Sequence, residues 1–314
     1  MKTGCLVVGG GGFIGSHLVA KLVAGGRKDV RVVGRRALPR FPLPEGVAYV
    51  QGDISDARFL KAALEDCDEV FDLAYSSVPK TSFEDPVRDI LDNLPANVTL
   101  IKLASECGLR RFVLVSSGGT VYGNPAYLPI DESHPTNPVS PYGITKLAAE
   151  KYALMFHRLG ALPVVIVRPG NPYGPNQAGD LGQGFVGTAM FAILKGRPVG
   201  IFGERGTVRD YLYVEDLADG LVAALEHGRL GDTYNIGTGM GTDNQGVLDC
   251  IADVIDLTGY RLEVSRLPDR PFDVAANVLS AARLTYVSGW RPRIGLRAGI
   301  AKTWEWTAAA MRET

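Results

Sequence analysis

The chain has 314 residues, 33 Lys and Arg against 34 Asp and Glu for a net charge of −1, and 46% apolar against 21% charged residues. That balance excludes a disordered polyelectrolyte and a small stapled scaffold. It also leaves no bulk attraction for nucleic acid or an anionic membrane, so any phosphate the chain binds must be gripped locally. Cys5, Cys67, Cys107 and Cys250 are widely spaced and the four histidines do not cluster, which argues against a disulfide framework and a structural metal site. The apolar run Cys5–Val8 is too short for a signal core, and no run approaches about 18 apolar residues, so a soluble, reduced, cytoplasmic protein is expected.

In chain order, short β-branched runs at Cys5–Val8, Val30–Val33, Val47–Val50, Glu69–Leu73, Phe112–Ser116 and Val164–Val167 alternate with helical patterns near 14–25, 56–65, 86–107 and 141–159. Most of the runs are continuously apolar, as strands covered on both faces must be, which predicts an α/β fold with a Rossmann-type doubly wound parallel sheet. From Arg168 the texture changes. Pro169, Pro172 and Pro175 fall close together among glycines at 170, 174, 179, 182, 184 and 187, which reads as a loop or hinge. Beyond it the patterns predict a helix near 185–195, a strand at Val199–Phe202, a helix near 214–227, a strand at Thr233–Ile236 and a last helix near 296–311. The simplest organisation is a first domain over 1–168 and a smaller C-terminal substrate lobe over 169–314.

Gly9, Gly12 and Gly15 form G-x-x-G-x-x-G directly after the first strand and open the first helix. A tight turn, close backbone approach to a pyrophosphate and free N–H groups at a helix N-terminus all call for that spacing. Past the second strand, where an acidic residue would bind the ribose 2′-hydroxyl of NAD, the chain has Gly34-Arg35-Arg36. The two arginines suit the 2′-phosphate of NADP or simply begin a solvated loop. Asp53, in Gly52-Asp53-Ile54, fits a bond to an adenine amino group and an ordinary turn equally well.

The strongest chemical signal is Ser140-Pro141-Tyr142-Gly143-Ile144-Thr145-Lys146. Ser140 is a good N-cap and Pro141 suits the first helical position, so Tyr142 and Lys146 lie one turn apart on one face. A tyrosine titrates near about 10; a neighbouring ammonium and a cationic nicotinamide both favour its phenolate, so Tyr142 could take the proton of a sugar hydroxyl. The same spacing also occurs on solvated helix faces.

These features together resemble the extended short-chain dehydrogenase/reductase family, in its sugar-nucleotide epimerase/dehydratase branch. The resemblance spans essentially the whole chain. It is carried by Gly9 to His17, Asp72-Leu73-Ala74-Tyr75, Asn93, Ser116 to Gly123, the Tyr142/Lys146 pair, Arg168 to Pro175, and Arg209-Asp210-Tyr211-Leu212-Tyr213-Val214-Glu215-Asp216. It implies NAD or NADP held against Gly9, Gly12, Phe13, Ile14, Gly15, Arg35, Arg36, Asp53, Ile54, Leu73, Ala74, Asn93, Ser116, Tyr142 and Lys146. It implies a nucleoside-diphosphate sugar held by Asn171, Arg209 and Arg270, the last of which also reads as one surface arginine among many. It further implies a chain that returns to the first domain around 212–240, and a homodimer built through a helical bundle.

The pattern breaks at one place. The family carries a Ser or Thr three residues before Val-Tyr-Gly, and here that residue is Gly118, with Ser117 and Thr120 as the candidate substitutes. The dehydratase branch carries Asp-Glu at the next two positions, which here are Gly119 and Thr120; neither does acid/base work at neutral pH, so dehydration is disfavoured. The expected activity is a nucleoside-diphosphate-hexose 4-epimerase working by transient hydride transfer from C4 through a 4-keto intermediate. An NADPH-dependent reductase of a 4-keto-6-deoxy sugar nucleotide is the alternative, and Gly118 also leaves a non-catalytic dinucleotide sensor open. No metal, nucleic-acid or membrane partner is expected.

Overall fold

The computed structural model describes residues 3–177, 179, 184–270 and 274–312; of the glycines noted above, Gly182 lies outside them. The first stretch runs β1 (Gly4–Val8), α1 (Phe13–Ala24), β2 (Val30–Gly34), β3 (Ala48–Gln51), α2 (Ala57–Ala63), β4 (Cys67–Asp72), α3 (Pro79–Glu84), α4 (Pro86–Glu106), β5 (Arg111–Val115), α5 (Pro141–Arg158) and β6 (Val164–Pro169). It continues through β7 (Asn171–Tyr173), α6 (Phe185–Leu194), β8 (Val199–Phe202), β9 (Val208–Tyr213), α7 (Val214–His227), β10 (Thr233–Ile236), β11 (Gly241–Thr242), α8 (Asn244–Ile255), β12 (Val264–Leu267), β13 (Ala276–Asn277), α9 (Ala282–Ser288) and α10 (Leu296–Ala310).

Among the described residues, a seven-stranded sheet is ordered β10-β6-β5-β4-β1-β2-β3, and every neighbouring pair is parallel. The Rossmann-type doubly wound arrangement expected from the apolar runs is therefore present. Strands β1, β5 and β6 are buried almost throughout, whereas the edge strand β3 is half open. Side chains of alternating parity feed two cores. Val7, Val32, Phe71, Val113 and Val165 pack under α1 and α7 with Trp290, while Leu6, Val70, Phe112, Leu114 and Ile166 pack under α2, α4 and α5. Helix α7 lies on α1, and β10 pairs with β6, so the chain crosses back to the sheet after its excursion.

A third core gathers Val186, Met190 and Ile193 of α6, Val247, Leu248 and Ile251 of α8, and Ile300 and Trp304 of α10. Here the sequence reading left gaps. The segment read as a loop contains β7, which pairs in parallel with β9, and β9 in turn pairs with β11 and β13. The short strands escape notice because each takes its stability from partners distant in the chain. Helix α8, capped by Asp243 accepting from the Gly246 N–H at 2.7 Å, carried a readable start signal that the reading passed over. No helix among the described residues is long and apolar enough to cross a membrane.

Two buried carboxylates tie the parts together. Asp210 accepts from the Thr238 N–H and hydroxyl, the Gly239 N–H and the Leu279 N–H. Asp216 accepts from the backbone of Arg293 and Ile294. Both belong to the Arg209–Asp216 motif, whose acidic residues are thereby fasteners between β9, the start of α7 and the C-terminal segment.

Candidate active site

The glycine turn closes where β1 meets α1. Gly9 has φ +80°, in the left-handed region. A Cβ on Gly15 would lie 2.5 Å from both the Gly10 Cα and the Gly9 carbonyl oxygen, so the helix packs on the turn only without a side chain there. A Cβ on Gly12, by contrast, would meet only the Gly9 oxygen, at 3.4 Å, and no side chain caps the helix that begins at Phe13. The result is an open cradle of backbone N–H groups, including those of Phe13 and Ile14, that fits a pyrophosphate.

Around that cradle the predicted contacts differ in kind. The Arg35 and Arg36 side chains are exposed, while their carbonyl groups accept from Gln51 and Tyr49. Their loop folds back over the glycines, because the Arg40 N–H donates to the Gly11 carbonyl at 3.1 Å. Asp53 caps its own turn by accepting from the Ser55 N–H at 2.9 Å, which holds its carboxyl below the usual range; Ile54 is half-buried against the α2–α4–α5 core. Leu73 and Ala74 follow β4, with the Leu73 N–H on the Val8 carbonyl. Asn93 is fully engaged. It accepts from the Ser76 N–H and hydroxyl and donates to the Ser77 hydroxyl and the Asp89 carbonyl, so its amide pins the loop after β4. The Ser116 hydroxyl donates to buried Glu150.

Ser140 caps α5 as expected, accepting from the Gly143 N–H at 3.1 Å, and Tyr142 and Lys146 follow on one face. The Lys146 Nζ donates to the Val115 carbonyl at 2.9 Å and sits 4.3 Å from the centre of the Tyr75 ring and 6.0 Å from that of Tyr142. The two rings meet edge to face at 4.7 Å. Tyr75 was absent from the predicted site, although it lies in a motif that marked the resemblance; no local pattern distinguishes an aromatic that seats a lysine from one that fills a core.

The electrostatics add a cost of burial. Burial pushes the Tyr142 phenol above its ordinary value, Asp89 adds to the rise, and a hydrogen bond from Ser117 opposes it. In the protein alone Tyr142 is therefore a phenol at neutral pH. Lys146 is held down to about 8, chiefly by its own burial.

The structure separates the two candidate hydroxyls. Ser117 lies close enough to Tyr142 to oppose the rise of its phenol, whereas the Thr120 hydroxyl is buried and has no partner among the described residues. It also explains Gly118: a Cβ there would lie 2.5 Å from Leu279 Cδ1 and 2.9 Å from the Arg168 carbonyl oxygen. Next to it the chain is open. A Cβ on Gly119 would lie 3.4 Å from the Asn171 Oδ1 and 4.0 Å from the Ser117 Oγ, which brings Asn171 and Ser117 to one opening.

Asn171 faces Tyr211 across the β7–β9 pairing, and Arg209 lies two residues earlier on β9, where its Nη1 donates to the Val208 carbonyl. Arg270 has its guanidinium carbon 3.4 Å from the centre of the ring of Phe202, the last residue of β8. Two histidines are tied into the fold: His17 bonds the Pro175 carbonyl at 2.9 Å, and buried His134 accepts from the Ala126 N–H. Among the described residues no group of three or more His, Cys, Asp or Glu is placed to hold a metal ion.

Comparison with known proteins adds three findings. The family model described as the NAD dependent epimerase/dehydratase family matches residues 5–237. A UDP-glucose 4-epimerase of Mycolicibacterium smegmatis is 36% identical over 306 residues, which cover 96% of this chain and 97% of that protein. Among solved structures, the UDP-glucose 4-epimerase of Thermotoga maritima with UDP-glucose superposes with TM-score 0.91 at 31% identity over 98% of this chain and 99% of the other. The Thermus thermophilus UDP-glucose 4-epimerase in complex with NAD superposes with TM-score 0.89 at 36% identity over the same shares.

Proposed function

The chain belongs to the NAD-dependent epimerase/dehydratase family, and from that premise we propose that it is a nucleoside-diphosphate-hexose 4-epimerase acting on a UDP-hexose. The observation that carries the reading is the convergence of Ser117, Tyr142 and Asn171 beside an open glycine cradle, with no acidic side chain at Gly119 or Thr120 to drive dehydration. A dinucleotide would be held at Gly9, Gly12 and the N–H groups of Phe13 and Ile14, and would supply a reversible hydride acceptor for the sugar C4. Everything else falls to the chain. Ser117 orients the C4 hydroxyl, Tyr142 takes its proton and gives it back, and Lys146 and the positive nicotinamide lower the phenol that burial has raised. Asn171 and Arg209 hold the nucleotide end, the guanidinium meeting diphosphate oxygens where the net charge of the chain offers no help. Residues 1–168, rejoined at about 212–240, thus serve the dinucleotide, and 169–314 mainly the sugar nucleotide.

NAD is the dinucleotide favoured by the relatives. The exposed Arg35-Arg36 pair supports a second reading, NADP with a single hydride transfer to a 4-keto sugar. One experiment separates the two. The purified protein should interconvert UDP-glucose and UDP-galactose with no dinucleotide added, and its bound dinucleotide, extracted and identified, should be NAD. Ser117→Ala should lower that rate by about 10²-fold or more and Thr120→Val by much less. Stoichiometric NADPH oxidation by a 4-keto sugar, with no epimer formed, would replace the epimerase by the reductase.

The homodimer belongs to the same proposal. Val87, Ile90 and Leu91 of α4 and Ile144, Tyr152 and Met155 of α5 are exposed on two helices that pack together, an apolar surface suited to a second copy. Sedimentation should give the mass of two chains, and a single-chain mass at micromolar concentration removes this part.

A further inference from the structure

Three carboxylates act on the Lys146 ammonium from three elements: Asp72 at the end of β4, Asp89 on α4 and Glu150 one turn along α5. Two of them are already committed. Glu150 takes two bonds from the Arg168 guanidinium and one from the Ser116 hydroxyl, and Asp89 accepts from the Ser77 and Thr145 hydroxyls. Asp72 differs. Its side chain is buried, with the residue 2% exposed; one oxygen accepts from the Ala74 N–H at 3.1 Å, and the other has no hydrogen-bond partner among the described residues. It pairs in register with Leu114 on β5, one residue before the Val115 carbonyl that holds the Lys146 Nζ. The other groups facing the lysine are the Tyr75 and Tyr142 rings, which are neutral as phenols.

We propose that Asp72 is a positioning residue for the Tyr142–Lys146 pair: its uncommitted, buried carboxylate is the countercharge that keeps Lys146 an ammonium in a desolvated site. An unpaired buried carboxylate is costly, and the fold retains this one on the strand next to the Val115 carbonyl that holds the lysine the proposed chemistry needs charged. Its own titration agrees, since burial raises Asp72 to about 6 and Lys146 is what most opposes the rise. Asp72 is also the strongest charge supporting the lysine.

The test reads Lys146 directly. In protein labelled with ¹⁵N-lysine, the Lys146 Nζ signal, assigned with Lys146→Arg, should titrate near 8 and show a smaller inflection near 6 where Asp72 ionises. In Asp72→Asn the main midpoint should fall by roughly one pH unit or more, and in Asp72→Glu it should stay near wild type. Asp72→Ser serves if the Asn variant fails to fold, and the inflection near 6 needs no variant at all. The kinetic arm rests on the epimerase reading: the alkaline limb of the rate profile should move down with the midpoint. A midpoint unchanged on loss of the carboxylate, or a wild-type titration with no step near 6, overturns the proposal even if activity falls. A wild type inert toward sugar nucleotides, with the midpoints moving as stated, would sink the epimerase assignment and leave the Asp72–Lys146 pairing intact.

Discussion

Tyr142→Phe is expected to lower turnover by roughly 10²–10⁴-fold while leaving fold and dinucleotide content as they are. The substitution keeps the ring that meets Tyr75 edge to face at 4.7 Å, and the N–H of residue 142 still donates to the Ser82 hydroxyl. What disappears is the oxygen that Ser117 reaches. Because burial holds this phenol above its ordinary value, the wild-type reaction depends on cationic neighbours to free the proton-accepting form, and the variant has no such form to free. Steady-state rates of epimer formation, with circular dichroism and the bound dinucleotide as controls, check it. A variant retaining more than a tenth of wild-type turnover would remove Tyr142 from the chemistry.

Arg168→Leu should destabilise the protein by about 3–5 kcal/mol, the scale expected when one partner of a buried ion pair is removed. Its guanidinium donates to both Glu150 oxygens, at 2.9 and 2.6 Å, and the two side chains are 7% and 1% exposed. The same arginine donates to the Tyr122 hydroxyl, which donates in turn to Asn235 on β10. Its loss therefore strands a carboxylate beneath α5 and loosens the link between β6 and the seventh strand. Urea unfolding of the single variant should show the loss, and adding Glu150→Leu should recover part of it by removing the stranded charge. A single variant within about 1 kcal/mol of wild type would mean that Glu150 finds another partner or is protonated in the fold.

Much of the architecture was legible because it is written in short-range patterns. Apolar runs of four or five residues, most of them continuous as in Val164–Val167, are what a strand between two helical layers requires, and they mark six strands of the large sheet to within two residues. The glycine turn and the Ser140–Lys146 helix start are equally local, since spacing alone places their groups. The strands β7, β9, β11 and β13 were not legible: β7, β11 and β13 have two or three residues each, β9 begins with a mixed polar and apolar pattern, and all are held by partners tens of residues away.

The same division runs through the site. Residue types and spacing by themselves determined a glycine turn shaped for a pyrophosphate and a tyrosine–lysine pair on one helix face, and the resemblance to the family marked Gly118 as the place of a missing hydroxyl. Only the tertiary structure decided why the hydroxyl is missing there, since the Cβ would strike Leu279, some 160 residues along the chain, and the Arg168 carbonyl. It alone decided that the Thr120 hydroxyl is buried without a partner among the described residues, that Asn93 is occupied with its own loop, and that Asp72 is buried at the end of β4 with an oxygen to spare. The reason is physical: a backbone pattern propagates over a turn or a strand, whereas burial, steric exclusion and charge pairing are set between side chains that only folding brings together.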